Sequence, residues 1–232
     1  MLNILKDKKF FFIVFYIVLF IDTIVKINLP IWPYRYISKP PVMGLLILYF
    51  YYNNTASKNS DYSWTMLALA CFFVSDFLII DHENIYLLVF SLFIYSVAKL
   101  FLCFRFSHRS DFKVRRLIPF SIVIFIYTVG LVSYMFDDLG HFFLPTIISY
   151  FISLLLCQFA YLRKGVVDEK SYLFVFVGVL CYMLSEGIMV IKTFKTNVPY
   201  QDFSIMFFYA TGIYLIVHGI ITEKITESKN PF

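Results

Sequence analysis

Six ionisable side chains interrupt the apolar runs of this 232-residue chain: Asp22, Lys26, Asp76, Lys99, Glu186 and His218. A seventh, Lys39, stands beside Pro40 at the mouth of another run. A charge inside an apolar helix is costly and marks a functional site by default. Asp76 and Glu186 are the strongest candidates, because no basic residue lies three or four positions from either. Neither can therefore be neutralised by a neighbour on its own helix face. Two carboxyl groups in one apolar site can divide the roles of proton donor and anion, which is the equipment of general acid–base catalysis. Asp22 and Lys26, four residues apart, are expected to pair with each other. Lys39 is placed at the interface, its ammonium reaching toward water. His218, near the end of its run, is expected to be structural.

The elements that must hold these groups are membrane helices. Of the residues 60% are hydrophobic and only 15% charged, too few polar side chains to cover a soluble domain of this length. The apolar residues come in long runs, not in the alternation of barrel strands. Eight runs approach the roughly 20 residues a spanning helix needs. They are Phe10–Ile27, Pro41–Tyr52, Trp64–Ile80, Ile85–Phe104, Leu117–Phe136, Phe142–Leu162, Tyr172–Ile191 and Phe203–Thr222. The second is short and is expected to start near Tyr36, since proline is tolerated in a first helical turn. The expected fold is therefore all-α: one integral membrane domain over residues 1–232 with about eight transmembrane helices. The N-terminal run lacks a small-residue cleavage site and reads as a retained helix rather than a signal peptide.

Charge sets the orientation. The loops before Phe10, after Phe104, after Leu162 and after Thr222 hold most of the lysines and arginines, against Arg35, Lys39, Lys192 and Lys195 on the other side. By the positive-inside rule both termini face the cytoplasm, and an inner (cell) membrane location is expected. The net charge of +5 follows from this bias and calls for no nucleic-acid partner. The odd-numbered helices then run outward. Counted from Phe10, Trp64 and Tyr172, the residues Asp22, Asp76 and Glu186 all sit roughly 18–21 Å from the cytoplasmic side. Lys26 and Lys39 join that outer level, while Lys99 and His218 are expected nearer the cytoplasm. The four cysteines, Cys71, Cys103, Cys157 and Cys181, fall inside the runs and read as packing residues. Neither a metal nor a cofactor is expected.

A weak repeat links the carboxylates. Cys71-Phe-Phe-Val-Ser75-Asp76 and Cys181-Tyr-Met-Leu-Ser185-Glu186 share Cys, Ser and an acid in register. This suggests two similar four-helix halves with the same membrane orientation.

The segment from Gly178 to Phe194 resembles the late signature of the YhhN family, roughly G-x-x-x-F-x-x-S-D-x-x-x-A-x-x-x-F. Gly178, Ser185 and Phe194 match, with Tyr182 for Phe and Glu186 for Asp. Pro199 and Tyr209 resemble the proline and helix-eight tyrosine that follow. Ser75-Asp76 resembles the early signature, and Lys39-Pro40 the Lys-Pro that opens helix two. Departures are Lys99 where the family often has His, Leu102 for Tyr and Ile213 for Gln. The family includes the animal transmembrane lysoplasmalogenases. The resemblance implies cleavage of the vinyl ether bond of a lysoplasmalogen or related ether lysolipid, giving a fatty aldehyde and a glycerophospho-alcohol. It implies Asp76 and Glu186 as the catalytic pair, with Lys39, Lys99 and Tyr209 on the substrate and Lys39 near the phosphate. A lipid or lysolipid and the bilayer are the expected partners. The rival reading is a non-enzymatic transporter or lipid-binding protein, since repeated halves with midplane charges also suit transport.

Overall fold

The computed structural model describes residues 6–54, 59–81, 84–107, 114–135, 143–194, 196 and 198–224, and within these it is helical throughout its long elements. The helices are α1 (Lys8–Asn28), α2 (Pro40–Asn53), α3 (Asn59–Leu78), α4 (Ile85–Phe106), α5 (Val114–Met135), α6 (Phe143–Leu162), α7 (Glu169–Phe194) and α8 (Gln201–Ile221). Two short helical pieces, Ile31–Arg35 and Tyr36–Ser38, lead into α2. The start of that element is thus earlier than its apolar run, as Pro40 in the first turn allows. Five helices, α1, α4, α6, α7 and α8, are long and apolar enough to cross a membrane by length and composition. The expected ends at Phe136 and Phe142 lie outside the described residues, as do the loop lysines Lys58, Lys113, Lys195 and Lys229.

Local sequence starts these helices. The Asp7 carboxylate accepts from the backbone N–H of Lys9 and Phe10 at 2.9 and 3.4 Å, capping α1. Asn84 does the same for α4, accepting from the Tyr86 and Leu87 amides. Along α1, Phe11, Phe15, Leu19 and Asp22 are buried while Phe12, Ile13, Ile17, Phe20 and Ile21 are exposed. The outward face is as apolar as the inward one, which in water would be an aggregation hazard and in a bilayer is the lipid contact.

α8 lies at the centre. It packs on α7 backbone to backbone at Gly178 and Gly212, and a Cβ built on Gly178 would stand 2.7 Å from the Gly212 carbonyl oxygen. Small residues permit this approach, which is how membrane helices gain packing without a hydrophobic drive between them. α1 and α2 lean on the other side of α8 through stacked rings, with Phe11–Tyr49 centroids 4.0 Å apart. His218 joins that stack, its Nδ1 3.0 Å from the Tyr49 hydroxyl and far along α8 from the carboxylates.

At one end of the bundle the starts or ends of α3, α4, α6 and α8 meet in an ionic knot. Glu223 accepts from Arg105 at 2.6 Å and from Arg163 at 3.1 Å, and Asp61 lies 3.9 Å from Arg105. Arg163 is fully buried, and the Phe106 ring covers its guanidinium at 4.7 Å. Burial pushes the Arg163 pKa down to about 10, with Glu223 opposing the shift, so the group remains a cation at neutral pH. The candidate site occupies the opposite end.

Candidate active site

Asp76 lies two residues before the end of α3 and is nearly inaccessible. Its Oδ1 accepts from the Tyr95 hydroxyl of α4 at 2.6 Å and lies 3.0 Å from Lys39 Nζ. Its Oδ2 accepts from the Tyr209 hydroxyl of α8 at 2.9 Å. Two helices besides its own, and the residue that precedes α2, therefore fix one carboxylate. Lys39 is buried on Asp76 rather than extended to the interface, a correction to the expectation. The reason is position: Lys39 immediately precedes α2, so its side chain can reach across the bundle end to α3.

Glu186 on α7 is held differently. Lys99 Nζ of α4 donates to its Oε1 at 2.8 Å, and Ser153 of α6 donates to its Oε2 in a short contact. The Lys99 ammonium also donates to the hydroxyls of Ser149 and Ser153, both at 2.9 Å. The Lys99 ammonium thus stands at the level of the Glu186 carboxylate, although its backbone lies further along the bundle. Helical side chains lean toward their own N-terminus. α4 begins at the site end, so the long stem carries the ammonium back toward Glu186.

The expected Asp22–Lys26 pair does not form. Asp22 Oδ1 instead accepts from Arg35 Nη1 and Ser38 Oγ, each at 2.6 Å. Lys26 pairs with Asp202 at 3.1 Å. Four-residue spacing permits a pair, but the planar guanidinium brought in by the Ile31–Ser38 lead-in is the better partner for a fully buried carboxylate. This clasp ties the lead-in to α1 and so sets where α2, and Lys39 before it, begins. Asp22→Asn leaves the buried Arg35 guanidinium without its counter-charge and is expected to lower stability by about 3–5 kcal/mol, the cost of breaking a buried ion pair on one side. Thermal unfolding in detergent measures it, and Asp22→Asn should also weaken the effect of any Lys39 substitution.

Asp76 and Glu186 line one cavity of about 410 Å3, together with Lys39, Tyr95, Tyr182 and Tyr209. Apolar walls from Leu88, Leu92, Met189, Val190, Ile205 and Met206 complete it. Tyrosine rings separate the carboxylates: Tyr182 and Tyr209 centroids are 5.9 Å apart, and Lys99 Nζ stands 6.0 Å from the Tyr182 centroid. Lys39 and Tyr209, singled out in the sequence, both reach Asp76 at the cavity wall, while Lys99 supports Glu186. Tyr95, Ser153, Arg35, Lys192 and Asp202 carry no sequence signal of their own that sets them apart in an aromatic-rich chain.

The serines of the two Ser-acid motifs do the same job on α3 and α7. Ser75 donates to the Ser91 carbonyl of α4 and Ser185 to the Ile205 carbonyl of α8, both at 2.9 Å. Tyr95 and Tyr209, the two donors to Asp76, each stand four residues beyond those carbonyls. The Ser-acid motif therefore pins each acidic helix to the helix that follows it.

A buried and a half-buried acid in a bundle of apolar helices, each held by a lysine and by hydroxyls from outside its own helix, mark a helical membrane protein with a polar site near one end. The family model described as the YhhN family matches residues 34–220, and the chain belongs to that family. No curated protein and no solved structure matches it.

Proposed function

We propose that the protein hydrolyses the vinyl ether bond of a lysoplasmalogen or related ether lysolipid within the membrane. The observation that carries the reading is the presence of both motif acids, Asp76 and Glu186, on one largely apolar cavity in a YhhN-family chain. Hydrolysis of such an ether starts with proton transfer to the β-carbon of the double bond, leaving an oxocarbenium ion. Water adds to the cationic α-carbon, the one bonded to the ether oxygen, and the hemiacetal breaks its bond to the glycerol oxygen to give a fatty aldehyde and a glycerol hydroxyl.

In this reading Asp76 is the fixed anion. It accepts from Lys39, Tyr95 and Tyr209, which leaves it no rotational freedom and aims a preorganised charge at the developing cation. Glu186, with its side chain 14% exposed against 3% for Asp76, has the greater access to the cavity. The Glu186–Lys99 pair supplies the proton to carbon and takes one back from the attacking water, as a general acid then base. The acyl-like chain lies against the apolar walls. The protein sits in the cell membrane with both termini cytoplasmic, a placement supported by the basic loops.

The test is release of fatty aldehyde from a 1-alkenyl lysophospholipid by protein purified in detergent. Aldehyde formed in proportion to enzyme is expected; lipid uptake or transport with no aldehyde overturns the proposal in favour of a lipid carrier. Tyr95→Phe and Tyr209→Phe each remove one donor from Asp76 and are expected to cut turnover about 10-fold to 100-fold, the kinetic equivalent of a charged hydrogen bond. A stopped assay at saturating lipid measures this, and unchanged turnover in both would remove Asp76 from the chemistry.

A further inference from the structure

The cavity carries more charge than the two acids use. Four cations line it, Lys26, Arg35, Lys39 and Lys192, and three anions, Asp76, Glu186 and Asp202. Most of these are matched one to one. Arg35 is answered by Asp22 and Lys39 by Asp76, and Glu186 is answered by Lys99. The exception among the described residues is at the mouth. Lys26 from the end of α1 and Lys192 from the end of α7 both close on one atom, Asp202 Oδ1, at 3.1 and 2.7 Å. Two ammonium groups thus share one carboxylate oxygen, leaving one positive charge in surplus. All three side chains are partly open to solvent, at 23, 32 and 34%.

We infer that Lys26 and Lys192 form a phosphate subsite for the headgroup of a single-chain phospholipid, with Asp202 holding the two amines together when the site is empty. Each ammonium has three N–H donors, of which Asp202 takes one, so up to four remain for phosphate oxygens. The inference rests on the hydrolase reading above and deepens it by naming how the substrate is oriented. Lys192 follows Glu186 by six residues on the same helix, a rise of roughly 9 Å. A glycerol bridge and the lysine stems span that separation, so a phosphate at the mouth leaves the ether bond at the level of the acids and the chain against the apolar walls of Leu88, Leu92, Met189, Val190, Ile205 and Met206. Lys39, the cation expected at the phosphate, is engaged by buried Asp76 and is not needed there.

The experiment measures binding in detergent of a non-cleavable 1-O-alkyl lysophospholipid, of a 1-O-alkylglycerol lacking phosphate, and of inorganic phosphate. For Lys26→Gln/Lys192→Gln, affinity for the phospholipid analogue is expected to fall at least tenfold, with affinity for the alkylglycerol unchanged. Asp202→Asn removes the competing carboxylate and is expected to tighten the phospholipid several-fold without affecting the alkylglycerol. This second variant gains affinity, which a misfolded protein cannot do. Equal phospholipid binding by wild type and the lysine variant, or no gain with Asp202→Asn, overturns the subsite. Inorganic phosphate binding as tightly as the phospholipid overturns the lipid-headgroup assignment in favour of a free-phosphate site. Lysine-dependent binding of the analogue with no aldehyde released from the alkenyl lipid leaves the subsite standing and removes the hydrolase reading.

Discussion

Asp76→Asn and Glu186→Gln are each expected to lower aldehyde release by about 10³-fold, within the range assigned to positioned acid–base groups and preorganised charges. The two losses have different companions. Asp76→Asn leaves the Lys39 ammonium buried without its counter-charge, and a buried pair broken on one side costs about 3–5 kcal/mol. Its melting temperature therefore falls along with its activity. Asp76→Asn/Lys39→Met removes both charges and is expected to recover most of that stability while staying inactive. Glu186→Gln leaves Lys99 with the hydroxyls of Ser149 and Ser153, so its stability falls less. Unfolding curves and aldehyde assays on the wild type and these three variants separate the outcomes. Recovery of activity in Asp76→Asn/Lys39→Met would mean that the acid only balanced a lysine, and the catalytic pair would have to be abandoned.

The acids were legible because of what surrounds them in sequence. A carboxylate such as Asp76 between Phe72 and Ile80 has no basic neighbour to explain it, and the cost of charge in an apolar helix does the rest. Their partners were not legible in the same way. Spacing of three or four residues reports only contacts along one helix. Tyr95 and Tyr209 reach Asp76 from α4 and α8 and Lys39 from the residue before α2, and Ser153 reaches Glu186 from α6. The same limit explains the misassigned Asp22–Lys26 pair, where two cross-helix partners, Arg35 and Asp202, displace the local one. Helix extents show a related effect. Hydropathy placed the third helix at Trp64–Ile80, whereas α3 starts at Asn59 and stops at Leu78. Apolar content marks a bilayer-length stretch, but backbone hydrogen bonding continues through the polar Asn59-Ser-Asp-Tyr-Ser turn that carries Asp61 toward Arg105. Lys99 was visible as an unusual residue but was placed by its Cα, and a lysine stem is long enough to move its charge by more than a helical turn.

The glycines of α7 and α8 give the second large effect. A Cβ on Gly212 would lie 2.8 Å from both the Gly178 carbonyl oxygen and the Tyr182 amide nitrogen, and a Cβ on Gly178 would meet the Gly212 oxygen at 2.7 Å and the Ile216 amide at 2.9 Å. These obstacles are backbone atoms, so no rotamer change relieves them; the helices must move apart. Overpacking of this kind costs about 1–3 kcal/mol even where side chains can give way. Gly178→Leu and Gly212→Leu are therefore expected at about 3 kcal/mol or more, and the double substitution should yield little folded protein by size exclusion in detergent. Function is expected to fail before folding does. Tyr209 is less than one turn from Gly212, and Tyr182 is one turn from Gly178. Pushing α8 off α7 by an ångström or more would lengthen the 2.9 Å bond from Tyr209 to Asp76 beyond hydrogen-bonding range. Gly212→Ala, the mildest form of the clash, should then retain a folded, lipid-binding protein with turnover reduced about tenfold or more, close to that of Tyr209→Phe. If Gly212→Ala melts and turns over like wild type, the close crossing of α7 and α8 does not hold the site together, and the tyrosine–aspartate contact must owe its geometry to α3 and α4 alone.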